Sequence, residues 1–225
     1  MIPFSALLAE KKNFILIGET GSGKSEISLN LAVMLSSAAA GSVHLFDLDQ
    51  TKAAFRARDA QEEMASLGVE VHYMPQLLDT PVMVNGIIPH LRRADSLCVL
   101  DVGGNENASR MVGCLSDYLT GDNSAALYVV NPFRPFSGTQ EDMELTMAMI
   151  LNACHIERIH FLLNPNIGPG TSEADVREGF AEAKCEACGA FVPEALAERV
   201  SDAFSGEIYP LHPYLIYPWN RENPY

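Results

Sequence analysis

Residues 18–25 read Gly18-Glu19-Thr20-Gly21-Ser22-Gly23-Lys24-Ser25, the G-x-x-x-x-G-K-[ST] pattern of a phosphate-cradling loop. The apolar run Phe14-Ile15-Leu16-Ile17 before it predicts a strand, and the stretch from Glu26 to Leu35 after it predicts a helix. A strand, a glycine-rich turn and a helix in that order restrict the chain to a narrow set of α/β folds. The glycines let backbone N–H groups turn inward on phosphate oxygens, and the positive end of the helix dipole adds to them. In such a cradle Gly18, Thr20, Gly21, Ser22, Gly23, Lys24, Ser25 and Glu26 surround the phosphates. Lys24 reaches the β- and γ-phosphates, and the Ser25 hydroxyl sits on Mg2+. The expected ligand is a nucleoside triphosphate.

The remaining pattern fits that start. Apolar segments at 43–46, 69–73, 96–100, 125–130 and 158–163 read as strands. Between and after them, helices are predicted over 52–67, 87–94, 107–119, 139–155 and 172–188, the last stopped by Gly189. A final edge strand is predicted to begin at Phe191. Alternating strands and helices predict an α/β fold, a mostly parallel doubly wound sheet with helices on both faces. With 225 residues, 48% of them hydrophobic, one domain spanning 1–225 suffices. A Pro- and aromatic-rich tail at about 207–225 is too irregular for a helix. Its Tyr214, Leu215, Ile216 and Trp219 predict that it lies over the fold. In open parallel sheets ligands sit outside the carboxyl ends of the strands. Here those ends carry Gly18, Asp47-Leu48-Asp49, Asp101-Val102-Gly103-Gly104, Asn131 and Asn164.

A formal net charge of −14 argues against general nucleic-acid binding, which needs clustered Lys and Arg to neutralise a phosphate backbone. No apolar run approaches the ~18 residues of a membrane span, so no membrane insertion is expected. The N-terminal ten residues carry no basic leader pattern, and the expected location is the cytoplasm. Five cysteines, Cys98, Cys114, Cys154, Cys185 and Cys188, are an odd number in such a chain and predict free thiols. The methionines of the 139–155 helix, and His155 and His160, read as packing residues.

Phosphoryl chemistry needs a metal that neutralises developing charge and a group that orients the nucleophile. Asp101 ends a buried strand and is the candidate metal-side carboxylate. Gly103 and Gly104 would let a switch segment approach the γ-phosphate. Of Asp47 and Asp49, one is expected to face Mg2+ and water and the other to brace a neighbouring loop.

Val43-His44-Leu45-Phe46-Asp47-Leu48-Asp49-Gln50 resembles the hydrophobic-D-x-D segment of the MinD/ParA class of P-loop ATPases. That class also includes nitrogenase-iron-protein-like and metallochaperone members. Leu97-Cys98-Val99-Leu100-Asp101-Val102-Gly103-Gly104 is similar to its switch II, and Phe161-Leu162-Leu163-Asn164 to its late adenine-reading strand. The resemblance covers about residues 13–170 and implies a P-loop NTPase fold. It further implies that Lys24 and Ser25 bind phosphate and Mg2+, and that Asp49 or Asp47 positions the water. Asp101 would lie on the metal side, and Asn164 would contact the base. ATP and Mg2+ are the implied cofactors, and a protein partner or a homodimer the implied assembly.

One departure stands inside the loop. The class carries a lysine where this chain has Glu19, and that lysine reaches a partner subunit's nucleotide. Arg110 and Arg134 are the candidates to supply the missing positive charge. Cys185-Glu186-Ala187-Cys188 would place two thiols on one helical face. It reads either as half a metal site completed by a second chain, as a redox pair, or as two plain helix cysteines before a glycine cap. Neither candidate base-reading end continues as N-K-x-D, so ATP is favoured over GTP. Three functions follow: an ATPase that switches a partner as organiser or maturation factor, a small-molecule kinase or nucleotide-dependent ligase, and a nucleotide-sensing module with negligible turnover.

Overall fold

The computed structural model describes residues 2–38, 41–49, 57–73, 84, 86–104, 106–119, 121–135 and 139–215. Eight strands form one sheet: β1 (Asn13–Ile17), β2 (Ser42–Asp47), β3 (Val69–His72), β4 (Ser96–Asp101), β5 (Ser124–Val130), β6 (His160–Leu163), β7 (Ala187–Pro193) and β8 (Glu207–Leu211). Their order is β3-β2-β4-β1-β5-β6-β7-β8, and every neighbouring pair is parallel. The direction of travel changes at β1: β2, β3 and β4 lie on one side of it and β5 to β8 on the other. That is the topological switch point at which an open α/β sheet presents its ligand crevice.

Parallel strands covered on both faces read as continuous apolar runs, and the five residues of β1 are all buried. Alternate side chains feed two separate cores. Phe14 and Leu16 join one layer with Ile27, Leu31 and Leu35 of α2 (Lys24–Ala38) and with Phe4 and Leu7 of α1 (Phe4–Glu10). Ile15 and Ile17 join the other layer. It is covered by α4 (Ile87–Arg92), α5 (Glu106–Gly113) and α7 (Gln140–Cys154), through Ile87, Met111 and Ile150 among others. A smaller cluster of Val176, Val192, Leu196 and Val200 packs α8 (Glu173–Glu182) at the far edge.

α2 is buried almost all round in its first nine residues, because a second layer covers its outer side. The Glu26 carboxylate accepts the backbone N–H groups of Tyr214 (2.5 Å) and Leu215 (3.2 Å). Asn30 exchanges two bonds with the backbone of His212, at 2.8 and 2.9 Å. The tail therefore begins as strand β8 and continues as a strap along the helix that follows the loop. Its Ile216 and Trp219 lie outside the described residues, as do Gln50 and residues 52–56 of the helix predicted over 52–67. Of that helix, α3 (Gln61–Ser66) is described, ended by Gly68 in the left-handed region at φ 79°.

Two predicted helices differ. The 107–119 stretch is two pieces, α5 and α6 (Ser116–Leu119), separated at Cys114 and Leu115. The larger correction is at 172–188. Ser172 caps α8 in a reciprocal capping box with Asp175, but the helix ends at Glu182 and residues 187–193 enter the sheet. Strand β7 pairs on both sides, with β6 and β8, which satisfies its backbone groups and buries Cys188, Ala190 and Val192. Helix propensity in a short Ala- and Glu-containing run is weaker than that gain. The edge strand is accordingly β8. Cys185 and Cys188 do not share a helical face; the Cys188 thiol donates to the Phe161 carbonyl at 3.2 Å.

Candidate functional site

The loop between β1 and α2 takes a shape that glycine alone permits at two points. Gly18 has φ 140°, and a Cβ there would lie 2.6 Å from the Val129 carbonyl oxygen on β5. Gly23 has φ 96°, and a Cβ there would lie 2.1 Å from Asn164 Nδ2. The loop is thus pressed against the ends of β5 and β6, with α2 rising from its last two residues. Lys24 folds over it, its ammonium donating to the carbonyls of Gly18 (3.0 Å) and Glu19 (2.7 Å).

Three flanking segments close on the loop. After β4, the Gly104 carbonyl accepts the Thr20 hydroxyl at 3.1 Å, and a Cβ on Gly104 would stand 2.5 Å from Thr20 N. A Cβ on Gly103 would stand 2.9 Å from Asp49 Oδ1. The two glycines therefore let the segment after Asp101 touch the loop on one side and the β2 end on the other. After β5, Arg134 Nε donates to the Gly21 carbonyl at 2.8 Å. After β6, Asn164 Nδ2 donates to the Ser22 carbonyl at 2.8 Å. Asn131 and Asn166 knit the last two segments together, Asn131 Nδ2 donating to the Asn166 carbonyl at 2.8 Å.

The carboxylates gather at the same end of the sheet. Asp47 and Asp101 are direct partners across β2 and β4, and Asp47 Oδ1 accepts the Asp49 N–H at 3.0 Å. Glu19, Asp47, Asp49 and Asp101 are each no more than 3% exposed. Ser25, Asp49 and Asp101 offer oxygen donors alone, the donor set of a hard ion such as Mg2+. Among the described residues, the buried Ser22 Oγ and Asn164 Oδ1 find no hydrogen-bond partner. Both are polar atoms at the loop that a polar ligand would satisfy.

Of the residues singled out from sequence, Gly18, Thr20, Gly21, Ser22, Gly23, Lys24, Ser25, Asp47, Asp49, Asp101 and Asn164 all lie around this crevice. Glu26 stands in the first turn of α2, and its side chain holds the tail. Glu19 is buried near Tyr128, whose phenol is pushed up by burial first and by the Glu19 charge second. Of the two arginines singled out, Arg134 is half-buried against the loop and Arg110 is exposed on α5. Sequence reasoning missed the brace from Asn164 to the loop; the close approach at Gly23 is legible only once β6 is placed beside β5.

No family profile and no curated protein matches the sequence. Among solved structures the chain is similar to the cell division protein FtsY from Thermotoga maritima, at 17% identity and a TM-score of 0.48 over 72% of this chain. This chain spans 59% of the length of that one. No helix among the described residues is long and apolar enough to cross a membrane.

Proposed function

We propose that the chain binds Mg·ATP in the β1–α2 loop and hydrolyses it slowly, using nucleotide state to switch a protein partner. The contact that carries this reading is Thr20 Oγ1 to the Gly104 carbonyl, 3.1 Å, because it couples the phosphate loop to the segment that follows Asp101. In this reading a ligand that moves the loop also moves that segment, which at Gly103 lies against the Asp49 side chain. The ends of β2 and β4 would then report nucleotide state.

In this reading the backbone N–H groups of residues 21–26 hold the phosphates, and Lys24 leaves its loop carbonyls for the β- and γ-phosphate oxygens. Ser25, Asp101 and Asp49 would hold Mg2+, which supplies charge neutralisation at the transferring phosphoryl group. Asp49 or Asp47 orients the attacking water. The bond from the γ-phosphorus to the β–γ bridging oxygen breaks, giving ADP and phosphate. Asn164 Oδ1 is the acceptor offered to the adenine amino group. This assignment follows the MinD/ParA resemblance, as does a homodimer or other protein partner. Glu19 removes that class's trans-acting lysine, and Arg134 on Gly21 supplies a cation in cis. Slow turnover is the expected consequence.

The test is equilibrium binding of ATP and GTP with Mg2+, followed by phosphate release. ATP should bind tighter than GTP. Asp49→Ala and Asp101→Ala should bind nucleotide and release phosphate at least tenfold more slowly than the wild type. Wild-type turnover in both would show the carboxylates to be misassigned, and transfer of the γ-phosphate to an added metabolite would replace the switch with a kinase.

A further inference from the structure

Away from the crevice, three histidines meet on the opposite half of β2. His44 lies on β2, His72 on β3 and His90 on α4, and one ring nitrogen from each falls within 4.8 Å of the others. The sheet register brings the first two together. His44 stands opposite Glu70 and Phe46 opposite His72, so His44, Phe46, Glu70 and His72 share one face of adjacent strands. α4 packs on that face through Ile87 and Leu91 and lays His90 over His44, with ring centroids 3.8 Å apart.

We infer that His44, His72 and His90 form a binding site for a first-row divalent transition metal, Zn2+ foremost, with the Glu70 carboxylate as fourth ligand. Three imidazoles and one carboxylate are a donor set for Zn2+ and its neighbours and a poor one for Mg2+. Ligands about 2.0–2.1 Å from a tetrahedral ion stand roughly 3.3 Å apart. His44 Nδ1 and His72 Nε2 are 2.9 Å apart, close to that spacing without a metal. Glu70 Oε2 lies 3.3 Å from His44 Nδ1 and Oε1 3.7 Å from His72 Nε2; its side chain is 65% exposed and so free to swing onto an ion.

The outer contacts support the same assignment. His44 Nε2 is 2.9 Å from Ser42 Oγ; with its proton there, Nδ1 is left as the electron-pair donor facing the cluster. His90 Nδ1 is 3.5 Å from Ser96 Oγ, and Phe46 stacks on His72 with centroids 4.6 Å apart, which fixes that ring. His44 is buried, while His72 and His90 are half-buried, so the site has a rigid floor and an open entry. Neutral imidazole is the ligating form, and burial together with the neighbouring histidines holds His44 well below its usual range. The ion would staple the edge strand and α4 to β2, three elements otherwise joined by the sheet and by apolar packing. It is independent of the nucleotide reading and of Cys185 and Cys188.

The experiment uses the full chain, stripped with a chelator, titrated with ZnCl2 by calorimetry and with CoCl2 by visible absorption. One equivalent of Zn2+ should bind and raise the melting temperature, and Co2+ should give the intense visible bands of a four-coordinate site. His72→Ala and His90→Ala, both at half-buried positions, should each weaken Zn2+ at least tenfold, and the double variant about a hundredfold. Glu70→Gln should weaken it less. The Cys185→Ser/Cys188→Ser variant should bind as the wild type does. Absence of stoichiometric Zn2+ binding, unchanged affinity in the folded His72→Ala/His90→Ala variant, or loss of binding in the cysteine variant would each overturn the assignment.

Discussion

The β1–α2 loop and the histidine cluster lie at different places on one sheet and are built from different material. The loop is backbone: Gly18 and Gly23 sit where only glycine fits, and the carbonyls of Gly18, Glu19, Gly21 and Ser22 receive Lys24, Arg134 and Asn164. The cluster is side chain: three rings from three elements meet over an ordinary stretch of parallel sheet. A site made of backbone resists chemical change in its side chains and breaks when its path is altered. A site made of imidazoles keeps its path and breaks when a proton arrives.

The largest expected effect follows from the first half of that contrast. Gly18→Ala adds one methyl group at φ 140°, against a β5 carbonyl that belongs to the central sheet and cannot retreat. The loss should be at least about 3 kcal/mol, read as a fall in melting temperature on the order of 10 °C. An unchanged melting temperature would mean that the loop does not take this path.

The second effect probes the side-chain site with pH alone. His44 is lowered from 6.5 to about 4, by burial first and then by His90 and His72, with Glu70 opposing. Its neutral form is favoured by the fold, so its contribution is complete above the unfolded value near 6.5. It is lost as pH falls through about 4. Between those limits stability should drop by roughly 2–3 kcal/mol, at about 1.4 kcal/mol per unit. His72, also lowered mainly by burial, steepens the same slope. Denaturant melts of His44→Asn at pH 7 and pH 5 should show a reduced difference; an equal difference would place the titration elsewhere.

A smaller effect concerns the strap that supports the loop's helix. Glu26→Ala leaves the Tyr214 and Leu215 N–H groups without their carboxylate acceptor and should cost about 1–3 kcal/mol. Glu26→Gln, which keeps an acceptor oxygen, should recover most of it. Protease cleavage near residue 214 in Glu26→Ala, and not in Glu26→Gln, is the local signature. Equal behaviour of the two would remove the strap from the account.

The two sites also differ in how far they were legible in the sequence. The loop is eight consecutive residues, and Asp47–Asp49 and Asp101–Gly104 each end an apolar run, so placement needed only strand order. The histidines are separated along the chain, His44 and His72 by 28 residues, and no spacing rule links them. Their meeting depends on the β2–β3 register and on the seat of α4, both settled by tertiary packing. The same lesson holds for Cys185 and Cys188. A run of good helix formers predicted one helical face, and pairing with β6 and β8 drew Cys188 into the sheet. Glu19 was legible as a departure from the class pattern, but its burial beside Tyr128 was not.

The central claim is that the loop at residues 18–25 holds a magnesium-bound nucleoside triphosphate, and Lys24→Ala tests it most directly. Calorimetric titration with Mg·ATP should give one site per chain in the wild type. In the variant, affinity should fall at least a hundredfold, about 2.7 kcal/mol, with an unchanged fold by circular dichroism. Equal ATP affinity in the folded Lys24→Ala variant would contradict the account.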